Sequence, residues 1–86
     1  MKYRSKTEIV EQVLSAAIGG STKTKIMYKA FLSYSQLGEY LTLLVAGGFL
    51  EYEQGRLIYK TSHKGIQYLR KVEEINKFIN ISAVEG

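Results

Sequence analysis

The chain has no cysteine, no proline, no tryptophan and a single histidine. Without cysteine there is no disulfide framework, no thiolate metal site and no cysteine nucleophile. His63 stands alone, with no second ligand type near it in sequence, so no metal is expected. The absence of proline leaves helices uninterrupted. The basic start, Met1-Lys2-Tyr3-Arg4-Ser5-Lys6, is followed by no long apolar run. Neither a signal peptide nor a membrane span is therefore expected, which predicts a cytoplasmic protein with no membrane partner.

Catalytic patterns are also missing. Glu8 with Glu11, and Glu73 with Glu74, are neighbouring acids on one helix each, with no opposed carboxylate to form an acid/base pair. Gly19-Gly20-Ser21-Thr22-Lys23 lacks the spacing of a phosphate-binding loop and follows no strand. No catalytic residue and no cofactor are expected, and the reading is not an enzyme.

What remains is 86 residues, 45% hydrophobic and 23% charged, the balance of an ordinary globular domain. A chain of this size buries roughly 60–65% of its unfolded surface. That supports one modest core and no deep, dry cavity. The net charge is +4, and its distribution is uneven. Lys2, Arg4 and Lys6 precede the first acid. Lys23, Lys25 and Lys29 lie in an acid-free stretch, as do Arg56, Lys60, Lys64, Arg70 and Lys71. Segregated positive charge fits a polyanionic partner.

Local signals predict the elements. Ser5 with Glu8 is a capping box for a helix over 6–18, with Ile9, Val10, Val13, Leu14, Ala17 and Ile18 on one stripe. Gly19-Gly20 stops it. Ser21 or Thr22 caps a short helix over 23–30 that buries Ile26, Met27 and Ala30. Ser33 with Gln36 is a second capping box, opening a helix over 34–46 with Leu37, Leu41, Leu44 and Val45 inward and Tyr40 beside them. Gly38 inside this helix costs about 1 kcal/mol against alanine. Gly47-Gly48 ends it. Residues 49–53 and 56–60 read as a hairpin around Gln54-Gly55. Thr61 or Ser62 then caps a fourth helix to about residue 80, with fraying over 82–86.

This order is helix, helix, tight turn, helix, hairpin, long helix. It predicts a mainly α fold with a small β-hairpin: a winged helix-turn-helix with an extended C-terminal helix. Residues 1–69 form the body and 70–86 extend the last helix. Tyr68, Val72, Ile75 and Ile79 recur at spacings of 4, 3 and 4, with Phe78 alongside. The extension leaves this seam without partners in its own domain. A homodimer through helix 4 is therefore expected, a short coiled coil of two heptads.

The sequence also resembles the small archaeal winged-helix proteins, which include ArnR-like transcriptional regulators and dimeric chromatin-associated proteins. The resemblance runs over about residues 4–70. It rests mainly on Thr22-Lys23-Thr24-Lys25-Ile26-Met27-Tyr28-Lys29-Ala30 and Leu32-Ser33-Tyr34-Ser35-Gln36-Leu37. Further matches are Tyr40-Leu41, Gly48-Phe49-Leu50-Glu51, Tyr59-Lys60-Thr61 and Lys64-Gly65. It implies DNA binding and, in some members, dimerisation through a C-terminal helix. Such proteins often carry basic residues before the Tyr-Leu pair, where this chain has Gly38-Glu39.

Candidate DNA contacts follow from residue chemistry. Tyr34, Ser35 and Gln36 open helix 3, where side chains reach base edges; glutamine can pair with adenine and serine can serve any base. Ser33 and Gln36 serve equally as caps. Thr22, Lys23, Thr24, Lys25 and Lys29 are candidate phosphate contacts near a helix N-terminus. Arg56 at the hairpin tip can enter a minor groove or hold phosphate, and Lys2, Arg4 and Lys6 can form a basic arm. Tyr40, Tyr52, Tyr59 and Tyr68 are expected half-buried, leaving Tyr28 and Tyr34 as contact candidates. The expected function is sequence-specific binding of double-stranded DNA by a homodimeric transcriptional regulator. The alternatives are an architectural DNA-binding protein without sequence preference, and a winged-helix module that docks on another protein.

Overall fold

The computed structural model describes residues 4–85. Helix α1 spans Lys6–Ala16, α2 Lys23–Ala30 and α3 Tyr34–Ala46. Strands β1 (Leu50–Glu53) and β2 (Ile58–Thr61) precede α4 (His63–Glu85). The fold is mainly helical with one antiparallel hairpin, as expected.

Both capping boxes form. The Ser5 hydroxyl accepts from the Glu8 backbone N–H while Glu8 accepts from the Ser5 N–H; Ser33 and Gln36 repeat the exchange. The Thr22 hydroxyl accepts from the Lys25 N–H and opens α2. Gly19, Gly20 and Gly48 take the left-handed backbone that ends α1 and α3. Ser62 caps α4: its hydroxyl accepts from the Gly65 N–H at 3.1 Å and donates to the Gly48 carbonyl at 2.6 Å. Thr61 instead ends β2, and its hydroxyl donates to the Leu14 carbonyl at 2.5 Å, pinning the strand to α1.

The core joins Val13, Leu14 and Ala17 with Ile26, Ala30, Leu32, Leu37, Leu41, Leu44 and Leu50. Helices α1, α2 and α3 contribute at helical period, Leu50 closes the core from the hairpin, and Tyr68 and Leu69 of α4 pack against it partly buried. The Tyr68 ring meets Phe49 edge-on at 5.7 Å, so the start of α4 belongs to the body. The hairpin is tied down as well. Ser21 and Tyr59 exchange two backbone hydrogen bonds of 2.9 Å, which fixes β2 to the α1–α2 connection.

Several expectations are corrected. Helix α1 stops at Ala16, before Ile18, which is exposed. The Ala17 N–H already bonds 3₁₀-fashion to Leu14, tightening the last turn. Val45 lies outside the buried stripe, because α3 is covered on the side of Leu37, Leu41 and Leu44 only. Tyr52 is exposed rather than half-buried, although its ring packs on Tyr59 at 4.7 Å. Phe49 and Arg56 fall outside the strands. Glu53 pairs with Ile58, so the loop has four residues, Gln54-Gly55-Arg56-Leu57, not the two of Gln54-Gly55. Its left-handed position is Leu57, φ +52°, and not Gly55. Helix α4 continues to Glu85 rather than ending near residue 80.

Phe31, at the end of α2, is the second non-glycine residue with positive φ, +54°. Such positions cost about 1–3 kcal/mol and persist only where the surroundings impose them. At Phe31 Arg4 supplies part of that constraint. Its guanidinium donates to the carbonyls of Ala30 and Phe31, closing the C-terminal end of α2, and also to Gln12. Arg4 is thus a cap for the helix-turn-helix connection and not part of an extended basic arm; Lys2 lies outside the described residues.

Gly38 is explained by tolerance. A Cβ added there would meet only the Lys23 Nζ, at 3.9 Å. Gly38→Ala is expected to stabilise the fold by about 0.5–1 kcal/mol. A urea titration that shows instead a loss of stability would mean the helix needs glycine there.

The radius of gyration is 13.9 Å and the longest extent 50 Å against 31 and 18 Å. A compact chain of this length would have about 12 Å. The excess is α4: its 23 residues run roughly 34 Å at 1.5 Å each. Only its first turns pack on α1 and β2.

Candidate nucleic-acid interface

The N-terminal turn of α3 and the hairpin frame an open groove. Lys23, Ser35, Gly38, Glu39, Thr42 and Tyr59 line it. Lys23 is held in place: its Nζ sits 3.9 Å from the centre of the Tyr34 ring. A cation–π contact of this kind is worth about 0.5–1 kcal/mol at an exposed site. It sets one ammonium beside the first turn of α3, where Tyr34 and Ser35 are exposed.

Gln36 is exposed, but its Oε1 accepts from the Ser33 backbone N–H at 3.2 Å and lies 3.1 Å from the Ser33 hydroxyl. Its oxygen is committed to the cap, so pairing with adenine through both amide atoms requires the cap to open. Thr22 is similarly engaged by the Lys25 N–H at 3.3 Å. The Thr42 hydroxyl donates to the Gly38 carbonyl at 3.0 Å. The exposed face of α3 therefore offers few uncommitted polar groups, with Ser35 and Glu39 foremost among them.

Sequence reasoning placed three lysines on α2 but could not orient them. Lys23 faces the α3 groove. Lys29 lines a different hollow, with Glu8, Glu11 and Gln12 of α1. Lys25, four residues before Lys29, shares that side of the helix. The structure thus joins Lys23, Tyr34 and Ser35 and sets Lys29 apart. Thr24 is exposed on α2. Arg56 is mostly exposed at the hairpin tip and pairs with Glu53 at 3.3 Å. An exposed pair of this kind is worth under about 1 kcal/mol and exchanges readily for another anion.

Lys64 was not singled out by the sequence. Its Nζ donates to the Gly47 carbonyl at 2.7 Å and lies 4.5 Å from the Phe49 ring. A cation at a helix C-terminus favours the dipole of α3. Its sequence signal was the glycine pair that leaves such carbonyls open.

On α4, Tyr68 and Val72 are half-buried, whereas Ile75, Phe78 and Ile79 are 57%, 71% and 55% exposed. Among the described residues no group of three or more acidic, histidine or cysteine side chains could hold a metal ion, and no helix is long and apolar enough to cross a membrane.

Three helices, a capped third helix beside a hairpin, and an open groove between them define a winged-helix domain. A family model described as winged helix-turn-helix matches residues 3–80, and the chain belongs to that family. Among solved structures it is similar to Sso10a-2, a DNA-binding protein from Sulfolobus solfataricus. The identity is 28%, over 95% of this chain and 90% of that one, with a TM-score of 0.80. The resemblance to small archaeal winged-helix proteins thus holds. No curated protein matches the sequence.

Proposed function

We propose that the chain binds double-stranded DNA as a homodimer and regulates transcription at selected sites. The carrying observation is the groove in which Lys23, fixed over Tyr34, flanks the exposed first turn of α3 beside the hairpin. In this reading α3 enters the major groove, with Tyr34 and Ser35 nearest the bases, and the wing lies on the adjacent backbone or minor groove. Lys23 and Arg56 take phosphates, with Thr22 and Thr24 at the helix N-terminus that carries Lys23. Residues 70–86 extend α4 into the dimer contact, which pairs Val72, Ile75, Phe78 and Ile79 with their counterparts and adds Tyr68 at its edge. The DNA-binding description of the Sulfolobus neighbour supports the DNA-binding part of this reading.

A second reading has its own support. The committed oxygen of Gln36 and the Gly38-Glu39 pair leave α3 few base-reading groups. That favours binding with little sequence preference, as in an architectural protein. Fluorescence anisotropy with a random duplex and a selected-site pool, each at two salt concentrations, separates the two. A clear preference for selected sites means a regulator, and equal salt-sensitive affinities mean an architectural role. No binding to either would leave docking on a protein partner.

The contact map has its own test. Lys23→Ala and Arg56→Ala are each expected to weaken binding to all sequences and to lower the salt slope by about 1. Lys29→Ala, facing Glu8 and Glu11, is expected to leave both unchanged. Equal losses from all three would place α2 differently on the DNA.

A further inference from the structure

Leu57 occupies a position that neither folding nor solubility explains. It sits at the hairpin tip, 65% exposed, with φ +52°. Four-residue hairpin loops commonly need one left-handed residue, and glycine or asparagine meets that need without strain. This loop contains Gly55, but two positions too early. The strained place is taken by a branched apolar side chain held out in solvent. An exposed leucine alone is unremarkable, and so is an occasional positive φ. Their coincidence at the tip of a projecting element fits strain retained for a task.

The surroundings say what the task is. The base of the hairpin is fixed to the body, because Ser21 and Tyr59 exchange two backbone hydrogen bonds that tie β2 to the α1–α2 connection. Tyr59 also lines the groove beside α3. The loop ends two residues before Tyr59, so a ligand in the groove lies beside the strand that carries the loop. The neighbouring Arg56 supplies a cation, held only by its exposed pairing with Glu53. An arginine beside an apolar tip is the combination that enters a narrow minor groove and parts a base step.

Resting on the DNA-binding reading above, we infer that Leu57 is a wedge that inserts from the minor groove between stacked base pairs and kinks the duplex. Arg56 exchanges Glu53 for phosphate or the groove floor as the leucine enters. The step that opens most easily is pyrimidine–purine, TA above all. The wedge thus adds a preference for deformable DNA that α3 need not read.

The test uses the full chain and short duplexes carrying 2-aminopurine at TA steps, with end labels for energy transfer. On binding wild-type protein, 2-aminopurine fluorescence is expected to rise several-fold and the ends to approach. Leu57→Asn suits the left-handed backbone, so its thermal midpoint should not fall. Wild-type and variant are compared at protein concentrations that saturate the duplex by anisotropy, so that a lost signal reports lost unstacking and not lost binding. Both the fluorescence rise and the bend should be lost in the variant, and Leu57→Met should restore them. If Leu57→Asn unstacks and bends as wild type does, the wedge is overturned. The same follows if wild-type protein binds with neither signal, while DNA binding itself stands. Absence of binding by anisotropy removes both readings together.

Discussion

Replacing Ile75 and Phe78 together by aspartate is expected to split the proposed homodimer into monomers and to weaken the proposed DNA binding by about 100-fold or more. Both side chains are exposed on a part of α4 that the body does not cover. Each buried aliphatic or aromatic side chain contributes about 1.5–3 kcal/mol at most. With Ile79 from each protomer, the seam gathers six such groups, enough for a dimer although two heptads form only a short coiled coil. Charges placed on the seam abolish that gain and add like-charge repulsion across it. Because the core of the body is built without these residues, its fold should persist, with melting lowered only by the share that dimerisation supplies. The affinity loss arises from the lost second DNA contact, whose effective concentration a dimer supplies. Sedimentation velocity at tens of micromolar reads the first effect and anisotropy the second. A wild-type chain that sediments as a monomer would remove the dimer, and with it the reason for the long helix.

Gly65→Ala is expected to be the most damaging small substitution in the body. A Cβ there would fall 2.4 Å from the Phe49 carbonyl oxygen and 2.6 Å from Thr61 Cγ2. Neither neighbour can give way cheaply. The Phe49 carbonyl accepts from the Ser62 N–H at 3.0 Å, and the Thr61 hydroxyl is bonded to Leu14. Separating α4 from the hairpin would cost about 3 kcal/mol. For a domain of this size that lowers the melting temperature by roughly 12–20 °C. Calorimetry of the variant beside Gly38→Ala gives opposite signs for two alanines introduced into helices. A Gly65→Ala protein that melts within a few degrees of wild type would show that α4 can lift off β1 without penalty.

The contrast between these glycines shows where sequence reading succeeds. Helices α2 and α3 begin and end as their caps dictate, because a hydroxyl three residues before a backbone N–H is a local relation. The same holds for the left-handed glycines after α1 and α3. What failed was non-local. The loop at Gln54–Leu57 is longer than the two-residue turn expected around Gln54-Gly55, because the register set by Leu50 against Thr61 pairs Glu53 with Ile58 and leaves leucine in the left-handed position. Arg4 reads as a basic arm until the end of α2 is brought against it across 26 residues. Lys23 and Lys29 have equal claims as phosphate contacts on paper; the packing of α2 on α1 turns one toward α3 and the other toward Glu8 and Glu11. Helix α4 has no glycine or proline stop near residue 80, so its end could not be read from local signals.

The bond pair between Ser21 and Tyr59 has a further consequence. It occupies part of one edge of β2, so among the described residues the outer edge of β1 is the longer row of hairpin backbone groups left without a strand partner. An open strand edge invites another copy to add on, and chains that avoid fibrous aggregation protect such edges with charge. Here Glu51 and Glu53 alternate along that edge. Two carboxylates are an unexpected choice beside a surface proposed to meet a polyanion, and they would weaken the attraction there. Their compensation is colloidal: they discourage hairpins from stacking into extended sheets when copies are crowded together.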